Sequence, residues 1–129
     1  MPLPLDVLAD ARQARIELEG VPISEGLAAA PRLLPRVFVF SAQRPMGGPL
    51  DAQDGERQRV LLNTVKQKGL VFHPVQLSWR GQTQEAVAVQ GCTRAEAVKL
   101  AYKRKQWCVW ELGRETTRVI YTGLNSRMK

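Results

Sequence analysis

Histidine and cysteine are almost missing from this chain: its 129 residues include one His, His73, and two Cys, Cys92 and Cys108. Two distant thiols without paired histidines make neither a zinc site nor a disulfide framework, so both are expected as reduced core or strand residues. His73 lies in an apolar strand pattern beside Pro74 and reads as a packed residue rather than a general base. No apolar run approaches the roughly eighteen residues that suggest a membrane span. Residues Met1 to Ala9 carry Pro2, Pro4 and Asp6 and no basic leader, so the expectation is a cytoplasmic protein with no membrane association. No P-loop or metal-binding carboxylate pair is visible, and Gly47-Gly48 alone is too weak a signal for a phosphate loop. Repeats and low-complexity tracts are lacking as well. No catalytic residue, cofactor or metal is therefore expected. Ser41 shows no activating partner in sequence, and the remaining enzymatic option is a small nucleotide-acting enzyme using Glu85 alone as a base.

What the chain does have is basic charge, unevenly placed. The formal net charge is +7, and from Thr93 onward nine Lys or Arg stand against three acids. Nearly all the excess thus belongs to the last third. Such a field speeds encounter with nucleic acid, nucleotides or an acidic protein surface and weakens with salt; its bland counterpart is a solvated surface.

With 44% hydrophobic residues the chain can bury the core of one domain over 1–129. Residues 1–35 read as an N-terminal helix, a strand and a Pro-punctuated connector. Leu5 to Gln13 predicts a short helix with Val7 and Ala11 on one side, and Ile16 and Leu18 alternate with polar residues as in a strand. A single helix through Leu18 is the rival pattern. Pro22, Pro31 and Pro35 mark the connector, in which Ser24 can cap a helical turn over Glu25 to Ala30.

Residues 36–122 predict the core. Val37-Phe38-Val39-Phe40 is a continuous apolar run, the signature of a central strand buried on both faces. Asp51 to Lys68 predicts a helix with Val60, Leu61 and Val65 inward, stopped by Gly69. Two strands, Leu70 to Trp79 and Glu85 to Gly91, flank a loop over Arg80 to Gln84. Thr93 and Glu96 form a capping box that opens a helix with Ala97, Val98 and Ala101 inward, closed by Lys103-Arg104-Lys105. Trp107 to Leu112 and Thr117 to Thr122 form a last hairpin around Gly113-Arg114-Glu115, and 123–129 is a basic tail. The expected class is α/β in the α+β sense: a mostly antiparallel sheet with a ferredoxin-like βαββαβ core, an added C-terminal strand, and an N-terminal helix and strand.

In that topology the strand at Val37 lies between those at Glu85 and Trp107 and antiparallel to both. The exit of the first, the entries of the other two and the first turns of the helix after Asp51 then share one sheet end. Ser41, Arg44, Arg57, Glu85 and Gln106 become neighbours there. Arginines suit phosphate or carboxylate, Gln106 can recognise an amide or base edge, a helix start offers N–H groups to an anion, and Glu85 can accept from a hydroxyl or amine. The competing structural reading is a buried ion pair between Glu85 and Arg44 or Arg57.

These residues resemble a bacterial and phage family, domain of unknown function 3293. The resemblance runs from about Leu5 to Tyr121. It rests on Ser41-Ala42-x-Arg44-Pro45 after an apolar strand, Arg57 on the following helix, Glu85 on a later strand and Gln106-Trp107-Cys108-Val109. Asp54 stands where members usually carry Asn, Lys103-Arg104 replaces Tyr-Gly before Gln106, and the family's Trp is displaced to Trp79. The resemblance implies the same fold and a shared strand-end site and brings no established activity.

Two binding readings result. One is a binding module for an anionic, phosphate-bearing small molecule or nucleotide at Ser41, Arg44, Arg57, Glu85 and Gln106. The other is a nucleic-acid or acidic-protein surface at Lys103, Arg104, Lys105 and Arg118. Strand alternation would put Trp107 and Trp110 on opposite faces, which denies the second reading one joint stacking platform.

Overall fold

The structure, a computed structural model, describes residues 9–30, 33, 36–41, 54–79, 81–104 and 106–122. Its strands are β1 (Arg15–Leu18), β2 (Val21–Pro22), β3 (Val37–Phe40), β4 (Val71–Trp79), β5 (Gln82–Gln90), β6 (Cys108–Leu112) and β7 (Thr117–Tyr121). Helix α1 (Asp54–Gln67) follows β3, α2 (Arg94–Lys103) follows β5, and a 3-10 turn, Leu27–Ala29, lies between β2 and β3. The class is α+β. All seven strands join one sheet in the order β2-β1-β4-β5-β3-β6-β7, with every neighbouring pair antiparallel. No helix among the described residues is long and apolar enough to cross a membrane.

β3 lies inside the sheet, pairing with β5 through Phe38↔Val89 to Phe40↔Val87 and with β6 through Val37↔Leu112 to Val39↔Trp110. Its four residues are all buried, and they alternate between two cores. Phe38 and Phe40 pack with Leu61 and Val65 of α1 and Ala97, Leu100 and Ala101 of α2. Val37 and Val39 pack on the other face with Leu77, Trp79, Trp110, Leu112 and residues of the N-terminal segment, including Ile16, Ile23 and Leu27. Both helices therefore cover one face, and the segment before β3 covers the other. Each large apolar side chain so buried contributes about 1.5–3 kcal/mol.

The helices form where their ends are satisfied. In α2 the Thr93 Oγ1 accepts from the Glu96 N–H at 3.1 Å and Glu96 Oε1 accepts from the Thr93 N–H at 2.9 Å, the expected capping box. Helix α1 ends in a Schellman arrangement: Leu70 N–H bonds the Val65 carbonyl and Gly69 N–H the Lys66 carbonyl, with Gly69 at φ 73°. Val60 and Val98 are half-buried, whereas Gln58 and Leu100 are buried, so each inward stripe is rotated slightly from the expected one.

Several expectations change. β1 is a strand with Ile16 and Leu18 buried, which removes the rival long helix; residues 9–11 are helical, and the rest of the Leu5 to Gln13 segment before residue 9 lies outside the described residues. The 3-10 turn has no side-chain cap. Ser24 Oγ instead accepts from the Ile16 N–H at 2.6 Å, tying the connector to β1. The β4–β5 hairpin is longer than expected: Trp79 pairs with Gln82, and Glu85 lies within β5 opposite Gln76. Its polar residues alternate, with Gln84 buried and Thr83 and Glu85 exposed, and Ser78 and Thr83 hydroxyls meet across it at 2.9 Å. Pro74 is tolerated in β4 because β1 pairs only with Gln76 to Ser78. Trp107 precedes β6, and both it and Trp110 are buried in the same core, so they do not lie on opposite faces.

The sheet curls until its edges are strapped together. The Leu27 and Ala28 N–H groups, in the connector after edge strand β2, donate to the Gly113 and Arg114 carbonyls beside the opposite edge, each at 2.9 Å. The Trp110 Nε1 donates to the Ala11 carbonyl at 2.8 Å, and Trp79 stands edge-on to Trp110 with centroids 5.4 Å apart. Gly26 lets the strap approach: at φ 133°, a Cβ there would lie 2.7 Å from the Arg114 carbonyl oxygen. Gly26→Ala should cost about 3 kcal/mol in chemical denaturation, because it adds both strain and a backbone clash. An unchanged midpoint would show that the strap gives way.

Cys92 is half-buried and Cys108 is buried in β6, and neither forms a disulfide. Burial pushes the Cys108 thiol up to about 12. Iodoacetamide at pH 8 should alkylate Cys92 in the folded protein and Cys108 only on unfolding, read by intact and peptide mass.

Candidate functional site

At the exit of β3, Ser41 is fully buried and its Oγ donates to the Glu85 carbonyl at 2.8 Å. Strand pairing explains the contact: Phe40 is opposite Val87, so the β5 backbone runs on past the last residue of β3, and the hydroxyl supplies an edge hydrogen bond there. The Glu85 residue is exposed, whereas a buried setting was expected for it in the structural reading. The long hairpin is the reason. Glu85 falls in a row with Gln76 and Glu17 across three strands, and with Glu19 these residues line a hollow of about 220 Å³.

Gln106 lies at the same end of the sheet by the β3–β6 register, yet it is buried. Its N–H bonds the Ala101 carbonyl at 2.9 Å, its Nε2 donates to the Arg104 carbonyl at 3.2 Å, and its own carbonyl accepts from Thr122 Oγ1 at 2.7 Å. It serves as the joint between α2 and β6. Arg57 is half-buried in the first turns of α1, one helical step before Leu61. Arg44 and Lys105, like Ala42, Pro45 and the tail after Thr122, lie outside the described residues.

A second arrangement lies on the helical layer. Lys68, Lys99, Lys103 and Arg104 line a groove of about 280 Å³ with Thr64, Leu70, Glu96 and Leu100. Lys68 follows α1, and the other three belong to α2 or its end, so the groove runs between the helices. Arg104 Nη2 donates to Thr64 Oγ1 at 3.1 Å, which fixes one wall. The acid of the groove, Glu96, is committed to the cap, and its bonds from Thr93 hold its carboxyl below the usual value. Four cations thus face one occupied carboxylate. Lys103 and Arg104 were singled out by their basic run; Lys68 and Lys99 escape a sequence reading because helix packing, not adjacency, brings them there.

An ion-pair network that the sequence did not suggest is centred on Glu111. This carboxylate is 6% exposed within β6, where every residue is buried. Arg94 donates to it through Nε at 2.7 Å and Nη2 at 3.1 Å, and Arg36 through Nη1 at 2.8 Å. The network links the residue before β3, the start of α2 and β6, at the sheet end opposite Ser41. Arg118 stands across from Glu111 on β7 and is exposed. A cavity of about 720 Å³ lies between the connector and the β6–β7 turn; its charges are mixed, with Arg12, Arg15 and Arg114 beside Glu25 and Glu115. His73 is half-buried, with Nε2 3.3 Å from Gln90 Oε1. The tryptophans beside the basic run are core residues and offer no stacking platform.

Neither the family models, the curated proteins nor the solved structures provide a match to this chain.

Hydrogen bonding from Arg94, aided by the Arg94, Arg36 and Arg118 charges and opposed by burial, holds Glu111 below its ordinary 4.5. A depressed folded-state value means that its stabilisation is present above 4.5 and is lost as pH falls through the folded value. Thermal melts should therefore show an acid limb for the parent below that pH that is flatter in Glu111→Gln. Parallel limbs would mean that Glu111 does not couple to folding.

Proposed function

We propose that this protein binds a polyanion, chemically a nucleic-acid backbone, along the groove between α1 and α2. The observation that carries the reading is the convergence of Lys68, Lys99, Lys103 and Arg104 on one groove whose carboxylate is already engaged. Such a groove neutralises successive phosphates and releases counterions without reading bases. Arg118, expected with this basic run, does not line the groove and stands opposite Glu111 on β7. An acidic protein surface has the same charge but lacks the regular phosphate spacing.

A second reading keeps a small anionic ligand or nucleotide at Ser41, Arg44, Arg57, Glu85 and Gln106. It is favoured by the register that brings Ser41, Glu85 and Gln106 to one sheet end, near the first turns of α1. On the same ground we infer that β3-α1-β4-β5-α2-β6 is a ferredoxin-like unit, with β1, β2 and β7 added, since its strands lie in the order β4-β5-β3-β6. We also infer a divergent relationship to domain of unknown function 3293. Two unpaired thiols suit a reducing compartment such as the cytoplasm.

Fluorescence anisotropy with labelled single- and double-stranded oligonucleotides over a salt series tests the groove. The parent should bind nearly independently of sequence with a steep log-log salt slope. Changing Lys68, Lys99 and Lys103 together to Ser should flatten that slope by about three, one per lost phosphate contact. Arg104 is left in place because it bonds Thr64. Unchanged binding by the variant, or no binding by the parent at low salt, would remove the groove reading; a nucleotide-induced rise in Tm abolished by Arg57→Ala would replace it with the second.

A further inference from the structure

At the other end of the helical face, Glu111 does more than close an ion pair. A guanidinium is planar and presents separate hydrogen-bonding edges. Arg94 spends its Nε and one Nη2 hydrogen on Glu111, which leaves the Nη1 side turned away from the carboxylate. Arg36 spends Nη1 alone. Their side chains remain 45% and 60% exposed while that of Glu111 is 7% exposed, so the anchor is inside and the unused donors are outside. Arg118 is directly opposite Glu111 in the β6–β7 pair, close enough for its charge to act on that carboxylate. Among the described residues its side chain makes no hydrogen bond or ion pair. Three guanidinium charges thus surround one carboxylate, leaving a local charge of +2.

Burial of Glu111 accounts for the two arginines that bond it, but not for Arg118 beside them. Arg94 and Arg36 already donate three hydrogen bonds to the carboxylate, and a third guanidinium beside them adds like-charge repulsion. An oxyanion would relieve that repulsion, and the buried carboxylate fixes the guanidiniums before it arrives, which lowers the ordering cost of binding.

We propose that Arg36, Arg94 and Arg118, held around Glu111, form a receptor for a phosphate-type dianion. The dianion matches the +2 charge, and its oxygens suit paired guanidinium donors. The site is separate from the groove between the helices and does not rest on the polyanion reading. Free phosphate and a phosphate monoester share the necessary chemistry.

The test is titration of the full chain at low ionic strength with inorganic phosphate and, separately, phenyl phosphate, with chloride as the control. Calorimetry gives affinity, and amide NMR shifts give location. Saturable one-to-one binding is expected, with shifts at Arg94, Glu111 and Arg118. Arg118→Ser should weaken it by about tenfold, the size of one lost charge-assisted hydrogen bond. Because Arg118 is exposed, that variant should melt like the parent. The Lys99→Ser, Lys103→Ser double variant should bind phosphate unchanged. Tighter binding of phenyl phosphate assigns the ester, and equal binding assigns the free ion. A non-saturating, chloride-like response, shifts confined to the α1–α2 groove, or an Arg118→Ser variant that binds as the parent does would overturn the site. None of these outcomes alters the oligonucleotide salt slope, so the two readings fail separately.

Discussion

The burial of β3 on both faces is the constraint on which the molecule depends. Four residues, Val37 to Phe40, have no solvent side, so the chain must provide cover twice. The two helices supply one cover and the N-terminal segment the other. Hydrogen bonding to β5 on one side and β6 on the other leaves the strand ends as the places where polar groups can gather without breaking the ladder. Both polar arrangements of the sheet follow from this. Ser41 completes the ladder at the exit, and Arg36, just before the entry, reaches the buried Glu111.

The charge of the helical layer has a related origin. α1 and α2 must turn Leu61, Val65, Ala97, Leu100 and Ala101 to the sheet, which commits their remaining faces to water and to each other. Lys68, Lys99 and Lys103 occupy those faces at little cost because their stems can lie along apolar surface while the ammonium groups stay hydrated. Arg104 differs, since its bond to Thr64 makes it part of the packing as well as of the field.

Much of this was legible in the sequence, for local reasons. The apolar run at Val37, the capping box at Thr93 and the stop at Gly69 are short-range signals with one physical meaning each. The extended end of the β4–β5 hairpin was not, because Gln82-Thr83-Gln84-Glu85 is polar throughout and its strand character comes from pairing with β4. Hence Glu85 was expected at the entry of its strand and lies within it, exposed. Glu111 was missed for the converse reason: a single acid in a buried strand acquires meaning only from Arg94 and Arg36, 17 and 75 residues away. Ser41 and Gln106 were identified at the correct sheet end, but their fixed backbone contacts could not be read from composition. Arg44, central to the strand-end reading, lies outside the described residues.

The strap across the curled sheet bears on how the chain reaches this state. Thr117 bonds the Ser24 carbonyl across 93 residues, and Trp110 bonds that of Ala11 across 99. Loop closure over such separations is entropically unrewarded until the strands between them have paired. This segment leaves a ribosome before the strands that cover it, and its apolar residues, Ile23, Leu27 and Leu33, wait uncovered until β6 and β7 exist. The exposure of this segment during synthesis, rather than the stability of the finished sheet, sets the interval in which the nascent chain needs protection from aggregation.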